Sequence, residues 1–105
     1  MFSRHVSIKL KANSAPEFMR IIESDILPLL RKQKGFRDEL TLVAPEGTQA
    51  VAISLWETKG DAEAYNRAAY AGVLKSLSKV IEGTPKVETF DVANSTFHKS
   101  AAKTA

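Results

Sequence analysis

The chain contains no cysteine. That removes disulfides, thiolate metal sites and cysteine nucleophiles at once, and it fits a reducing compartment. Histidine is almost as scarce. His5 and His98 stand at opposite ends with no carboxylate at ligand spacing, so no metal site is expected. A large charge excess is also lacking. The formal net charge is +3, and two of the positives, Lys99 and Lys103, lie in the last stretch, "FHKSAAKTA". The remaining charge is small and dispersed, which argues against a nucleic-acid partner. No apolar run approaches the roughly 20 residues needed to span a bilayer, and the start carries no secretory pattern. The expectation is a cytoplasmic protein with no membrane partner. Glycine spacing for a phosphate cradle is missing from "GTQA", "KGDA" and "EGTP". No pair of carboxylates stands beside a nucleophile, and Glu57 and Asp61 are explained by a helix dipole.

What is present is the balance of an ordinary globular domain. Of 105 residues, 44% are hydrophobic and 26% charged. One domain over residues 1 to 98 is expected, with a small-residue tail from 99 to 105. A chain this short buries only roughly two-thirds of its unfolded surface, so association with a second copy would stabilise it.

Residues 2 to 11, "FSRHVSIKLK", alternate with period two. Phe2, Val6, Ile8 and Leu10 share a face with Arg4. Ser3, His5, Ser7, Lys9 and Lys11 share the other, so a strand is predicted. Ser14 followed by Glu17 has the spacing of a capping box, and Pro16 suits a first helical turn. Phe18, Ile22, Ile26, Leu29 and Leu30 then recur at helical spacing. Pro28 should kink this helix, and Gly35 suits the residue past its end. Two strands follow around a turn at Pro45, Glu46 and Gly47, the second and less polar running from Gln49 to Trp56. A second helix has Thr58 or Asp61 as candidate caps, with Gly72 as its point of bending. Gly83, Thr84 and Pro85 should end it, and "KVETFDVANSTF" should form the last strand. The order β-α-β-β-α-β is that of a ferredoxin-like α+β fold: a four-stranded antiparallel sheet with both helices on one face.

Two helices cover only one face of such a sheet. In the third strand, Val51, Ile53 and Leu55 alternate with Ala50, Ala52, Ser54 and Trp56, so both faces are poor in charge. A strand buried on both sides reads this way. A homodimer is therefore expected, with two sheets packed face to face and the helices outside. Trp56, the only tryptophan, has small neighbours on its own face. The space beside it is filled by Phe18, Ile22 or Leu74, or it stays open as an apolar pocket edged by Trp56 and Tyr65. The residues alone leave both readings open.

The segments "GFRDELTLV", "AVAISLWET" and "DAEAY", in this order and spacing, resemble the antibiotic biosynthesis monooxygenase family of dimeric α+β barrels. The matching residues are Gly35-Phe36, the strand end Ile53-Ser54-Leu55-Trp56-Glu57, and Ala62-Glu63-Ala64-Tyr65. The resemblance spans roughly residues 2 to 93. It implies a cofactor-free oxygenase acting on a small apolar or aromatic molecule. In such an enzyme the protein deprotonates a phenolic or quinone-like substrate, whose anion reacts with oxygen. On this reading Trp56, Tyr65, Ser54, Ala52, Phe18 and Tyr70 bind substrate, Asn66 is an oxyanion partner, and His5 is a base, given the near-neutral pKa of imidazole. The sequence departs from the pattern where quinone-forming members place an Asn on the tryptophan strand. It also lacks the helical histidine that the haem-degrading branch requires. A non-catalytic ligand-binding or stress-related barrel is the alternative, and a purely structural or partner-binding dimer is the third.

Overall fold

A computed structural model describes residues 1–96. His98 and the expected tail lie outside the described residues. The strands are β1 (Phe2–Leu10), β2 (Phe36–Val43), β3 (Gln49–Trp56) and β4 (Ile81–Asp91). They form one antiparallel sheet in the order β2-β3-β1-β4. This is the ferredoxin-like arrangement that the element order predicts, with β1 and β3 central. No helix among the described residues is long and apolar enough to cross a membrane.

The first helical run is broken into α1 (Ala15–Ile21), a π-helical turn (Ile22–Ile26) and α2 (Leu27–Arg31). The break falls one turn before Pro28 rather than on it. Pro28 has no N–H to continue the ladder, and it sits in the first turn of α2, where none is needed. The capping box does not form. Ser14 has helical backbone angles and caps with no side-chain bond, and Glu17 instead accepts from Arg20 at 2.7 and 2.8 Å.

Thr58 is the cap of the second run, accepting from the Asp61 N–H at 3.1 Å. This run also divides, into α3 (Lys59–Ala68) and α4 (Tyr70–Leu77), but at Ala69 (φ −130°) and not at Gly72. Nor do Gly83, Thr84 and Pro85 form a connection. They lie inside β4, where Gly83 takes a positive φ of 67° and the pairing with β1 slips between Ser7 and Lys9. A bulge of this kind absorbs both the glycine and the proline without ending the strand.

The core fills the gap between helices and sheet. Phe2, Val6, Ile8 and Leu10 from β1 meet Phe18, Ile21, Ile22, Ile26 and Leu30 from the first run and Val73 and Leu77 from α4. The opposite face carries Val51, Ile53 and Leu55, with Leu40, Leu42 and Phe90 about half exposed.

Candidate functional site

Directly opposed residues on neighbouring strands point to the same face, so register places the site. Three rows cross the helix-covered face. The first joins Phe36, Trp56 and Phe2; the third joins Thr41, Ala52 and Val6. Between them runs a polar row, Glu39–Ser54–Arg4. A bulge makes this possible. On β2 the register shifts between Phe36 and Asp38, so Arg37 is extra and Glu39 turns inward.

The first row is solid. Trp56 is 0% exposed, and its ring meets Phe36 edge-on at 5.6 Å and stacks on Tyr65 at 5.0 Å. Its indole N–H donates to Ser54 Oγ at 2.9 Å. Phe18 is likewise fully buried. Each is a plug in the core beside the site rather than a wall of open space.

The open space lies at the second and third rows. A cavity of about 40 Å³ is bounded by Arg4, Ala52 and Ser54 from the central strands, Glu39 from the edge strand, Tyr65 from α3, and Tyr70 and Leu74 from α4. At roughly 10–15 Å³ per occupant it holds about three waters. The packing expected at Trp56 is present, and the cavity lies one row away, at Ala52 and Ser54, with Ile22 and Leu74 among its lining.

Arg4 dominates the electrostatics. It is 3% exposed, and no carboxylate among the described residues lies within ion-pairing distance of it. Its guanidinium sits over the Tyr70 ring at 4.0 Å and 5.4 Å from the Tyr65 ring centre, and Nη2 donates to Asn66 Oδ1 at 2.8 Å. A desolvated cation–π contact contributes about 2 kcal/mol, and a charged hydrogen bond about 1.5–3. Burying the ion costs several kcal/mol. These contacts offset the cost with little surplus.

The helix break at Ala69 serves this contact. Residues five apart on a regular helix diverge by about 140°. Tyr65 and Tyr70 nevertheless both face Arg4, because the chain restarts at Tyr70. The Tyr70 hydroxyl is buried and has no hydrogen-bond partner among the described residues. Burial pushes the Tyr65 phenol up to about 12, with the Arg4 charge opposing, so it remains a neutral donor. Burial also raises Glu39 from its ordinary value, against a hydrogen bond from Thr41 Oγ1 at 2.6 Å.

Of the residues named from sequence, the structure brings Ala52, Ser54, Tyr65 and Tyr70 to the cavity. Trp56 supports it through Ser54 and Tyr65. Phe18 packs away from it. Asn66 is exposed and reaches the site only by holding Arg4. His5 is on the other face of the sheet, with Nε2 3.2 Å from Ser3 Oγ and its ring edge-on to Phe90 at 5.0 Å. Sequence reasoning missed Arg4 and Glu39. Arg4 did leave a signal: an arginine in step with Phe2, Val6, Ile8 and Leu10 has to lie under the helices.

No protein-family model matches the sequence, and no curated protein matches it. Solved structures do match. A monooxygenase from Streptomyces coelicolor, solved in complex with the ligand Nanaomycin D, superposes with a TM-score of 0.73 at 18% identity, covering 85% of this chain and 84% of its own. A protein provisionally named an antibiotic biosynthesis monooxygenase, from Nitrosomonas europaea, gives 0.70 at 17% identity over 86% and 96% of the two chains. Another such provisionally named protein, from Deinococcus radiodurans, gives 0.74 at 12% identity over 90% and 95%. The chain has the fold shared by antibiotic biosynthesis monooxygenase-like proteins, the family that its sequence resembles.

Proposed function

We propose that the chain is a cofactor-independent monooxygenase acting on an aromatic or quinone-like metabolite, working as a homodimer. The observation that carries this reading is the buried Arg4 between two tyrosine rings at the edge of an internal cavity. Oxygenation without a cofactor needs the substrate to become an electron-rich anion, and a fixed, buried cation stabilises that anion as it forms. The fold neighbours that are named monooxygenases support the same reaction class.

The cavity is smaller than a bicyclic substrate, so binding must displace a wall. The wall suited to move is the start of α4. It begins at Tyr70 with no side-chain cap, next to the irregular backbone of Ala69. The half-exposed Leu40, Leu42 and Phe90 on the other face support the dimer.

Oxygen uptake with a panel of hydroquinones and anthrones tests the reaction. The wild-type protein should consume oxygen with at least one of them, and Arg4→Met should lower the rate by about 100-fold. Uptake that Arg4→Met leaves untouched would remove Arg4 from the chemistry. The small cavity also favours a second reading, a non-catalytic barrel that binds a small ligand. In that case the panel yields binding without oxygen consumption.

A further inference from the structure

We infer that Glu39 and Arg4 act as a pair across the cavity, Glu39 accepting the proton of a phenol or enol and Arg4 holding the anion that results. This deepens the proposed function and rests on its reading of the cavity as a site for an aromatic ligand.

The two residues lie in one cross-strand row with Ser54 between them. Neighbouring strands are about 4.8 Å apart, which separates the Glu39 and Arg4 backbones by about 10 Å. The residue between them is small, and its hydroxyl is turned to the Trp56 indole. Two opposite charges thus line one cavity, yet neither has an ion-pair partner within 4 Å among the described residues. A hydroxyl group placed over Ser54 meets a proton acceptor on one side and a cation on the other. The Tyr70 hydroxyl, which has no hydrogen-bond partner among the described residues, supplies a further hydrogen bond to the same oxygen.

Glu39 is suited to the task for a reason that geometry sets. It is an edge-strand carboxylate turned under the helices by the bulge, and burial favours its protonated form. The charged groups around it are few. Arg4, Tyr65 and Tyr70 share its cavity, while Arg31, Arg37 and Asp38 share the hollow on its outer side. Arg37 is already paired with Glu57 at 3.2 Å. The helical wall facing Glu39 across the cavity is Ile22, Ile26 and Leu30, which carry no charge.

The step is a proton transfer. The substrate O–H bond breaks, and the proton forms a bond to a Glu39 carboxylate oxygen. The electron pair stays on the substrate oxygen beside the Arg4 guanidinium. One carboxylate becomes an acid and one neutral ligand becomes an anion, so charge is conserved and nothing is oxidised. Asn66, which touches Arg4 and not the ligand, is a positioning residue.

4-Nitrophenol is the probe, because its phenolate is coloured and it is small; 4-nitroanisole, which cannot ionise, is its control. Binding is followed by difference absorbance and by calorimetry in buffers of different ionisation enthalpy, which counts the protons released. The pH is set between the usual carboxylate range and neutrality, where the free probe is mostly neutral. The wild-type protein should bind the probe as phenolate and release no net proton, because Glu39 keeps it. Glu39→Gln should also bind phenolate but release about one proton per ligand. Arg4→Met, folded by its Trp56 near-ultraviolet signature, should bind only the neutral phenol, and Asn66→Ala should fall between it and the wild type. A bound probe that stays neutral in the wild type, or the same proton count with and without Glu39, overturns the pairing. If both compounds bind equally and uncoloured, the pairing falls and the ligand cavity stands. If neither binds, both fall.

Discussion

Under the helices, the sheet carries Glu39, Ser54 and Arg4 in a row where a small domain needs apolar volume. On its other face, Leu40, Leu42 and Phe90 are about half exposed, where water favours polar groups. The two faces depart from ordinary burial in opposite senses. Buried charge costs free energy unless it is compensated, and an exposed apolar patch costs solubility unless it is covered. On the proposed function, the covered face is compensated by a ligand anion and the open face by a second copy of the chain.

The largest effect should come from the solid row of the covered face. Trp56→Ala removes the ring stacked on Tyr65 and edge-on to Phe36 and should cost about 3–5 kcal/mol in urea unfolding. A loss below about 1 kcal/mol would mean that the row is not the structural half of that face. Next comes the open face. Leu42→Asp combined with Phe90→Asp should weaken self-association by about 100-fold or more, about 3 kcal/mol, in sedimentation. An unchanged association constant, or a wild-type monomer at micromolar concentration, would break the contrast between the two faces.

Arg4→Met should change stability less and in the unusual direction. It removes a buried cation with no carboxylate beside it among the described residues and leaves the exposed Asn66 without its donor. Thermal unfolding should therefore be unchanged or stabilised by about 1–3 kcal/mol, while ligand binding suffers. Marked destabilisation would make Arg4 a structural residue. The smallest effect is that of Glu39→Gln, read as a pH profile. The folded pKa of Glu39 lies above its unfolded value, so its contribution is full below the unfolded pKa and is lost as pH rises through the folded one. Across and above the ordinary carboxylate range, the wild type should lose stability relative to Glu39→Gln. A profile in which the wild type gains would show that Glu39 is paired.

The strands could be read from sequence because their signal is local. Phe2, Val6, Ile8 and Leu10 alternate with polar neighbours, and each is buried. Thr58 could be read as a cap because its partner is three residues away. The helix break could not be read from sequence. Gly72 has the weaker helix propensity, yet the chain bends at Ala69, beside the contact of Tyr70 with the distant Arg4. The same holds for the site. Tyr65, Tyr70, Ser54 and Ala52 follow from the alternation of β3 and the helix after it. Glu39 depends on a bulge two residues away, and nothing in "GFRDEL" marks Arg37 as the extra residue. His5 and Asn66 were named for their chemistry, although the alternation of β1 already sets His5 on the face opposite Phe2, Val6, Ile8 and Leu10, and Asn66 on α3 reaches the site only through Arg4.

The bulge at Arg37 has one more consequence. A single inserted residue sets the phase of a whole strand. With Arg37 present, β2 turns Glu39 and Thr41 inward and offers Leu40 and Leu42 outward. Were Arg37 instead drawn into the ladder opposite Leu55, every side chain from Asp38 to Val43 would exchange sides, the leucines would serve the chain's own core, and the carboxylate would leave the cavity. One residue thus couples the edge strand's two duties, so that the chain cannot keep its acid inside without also presenting its leucines to a neighbour.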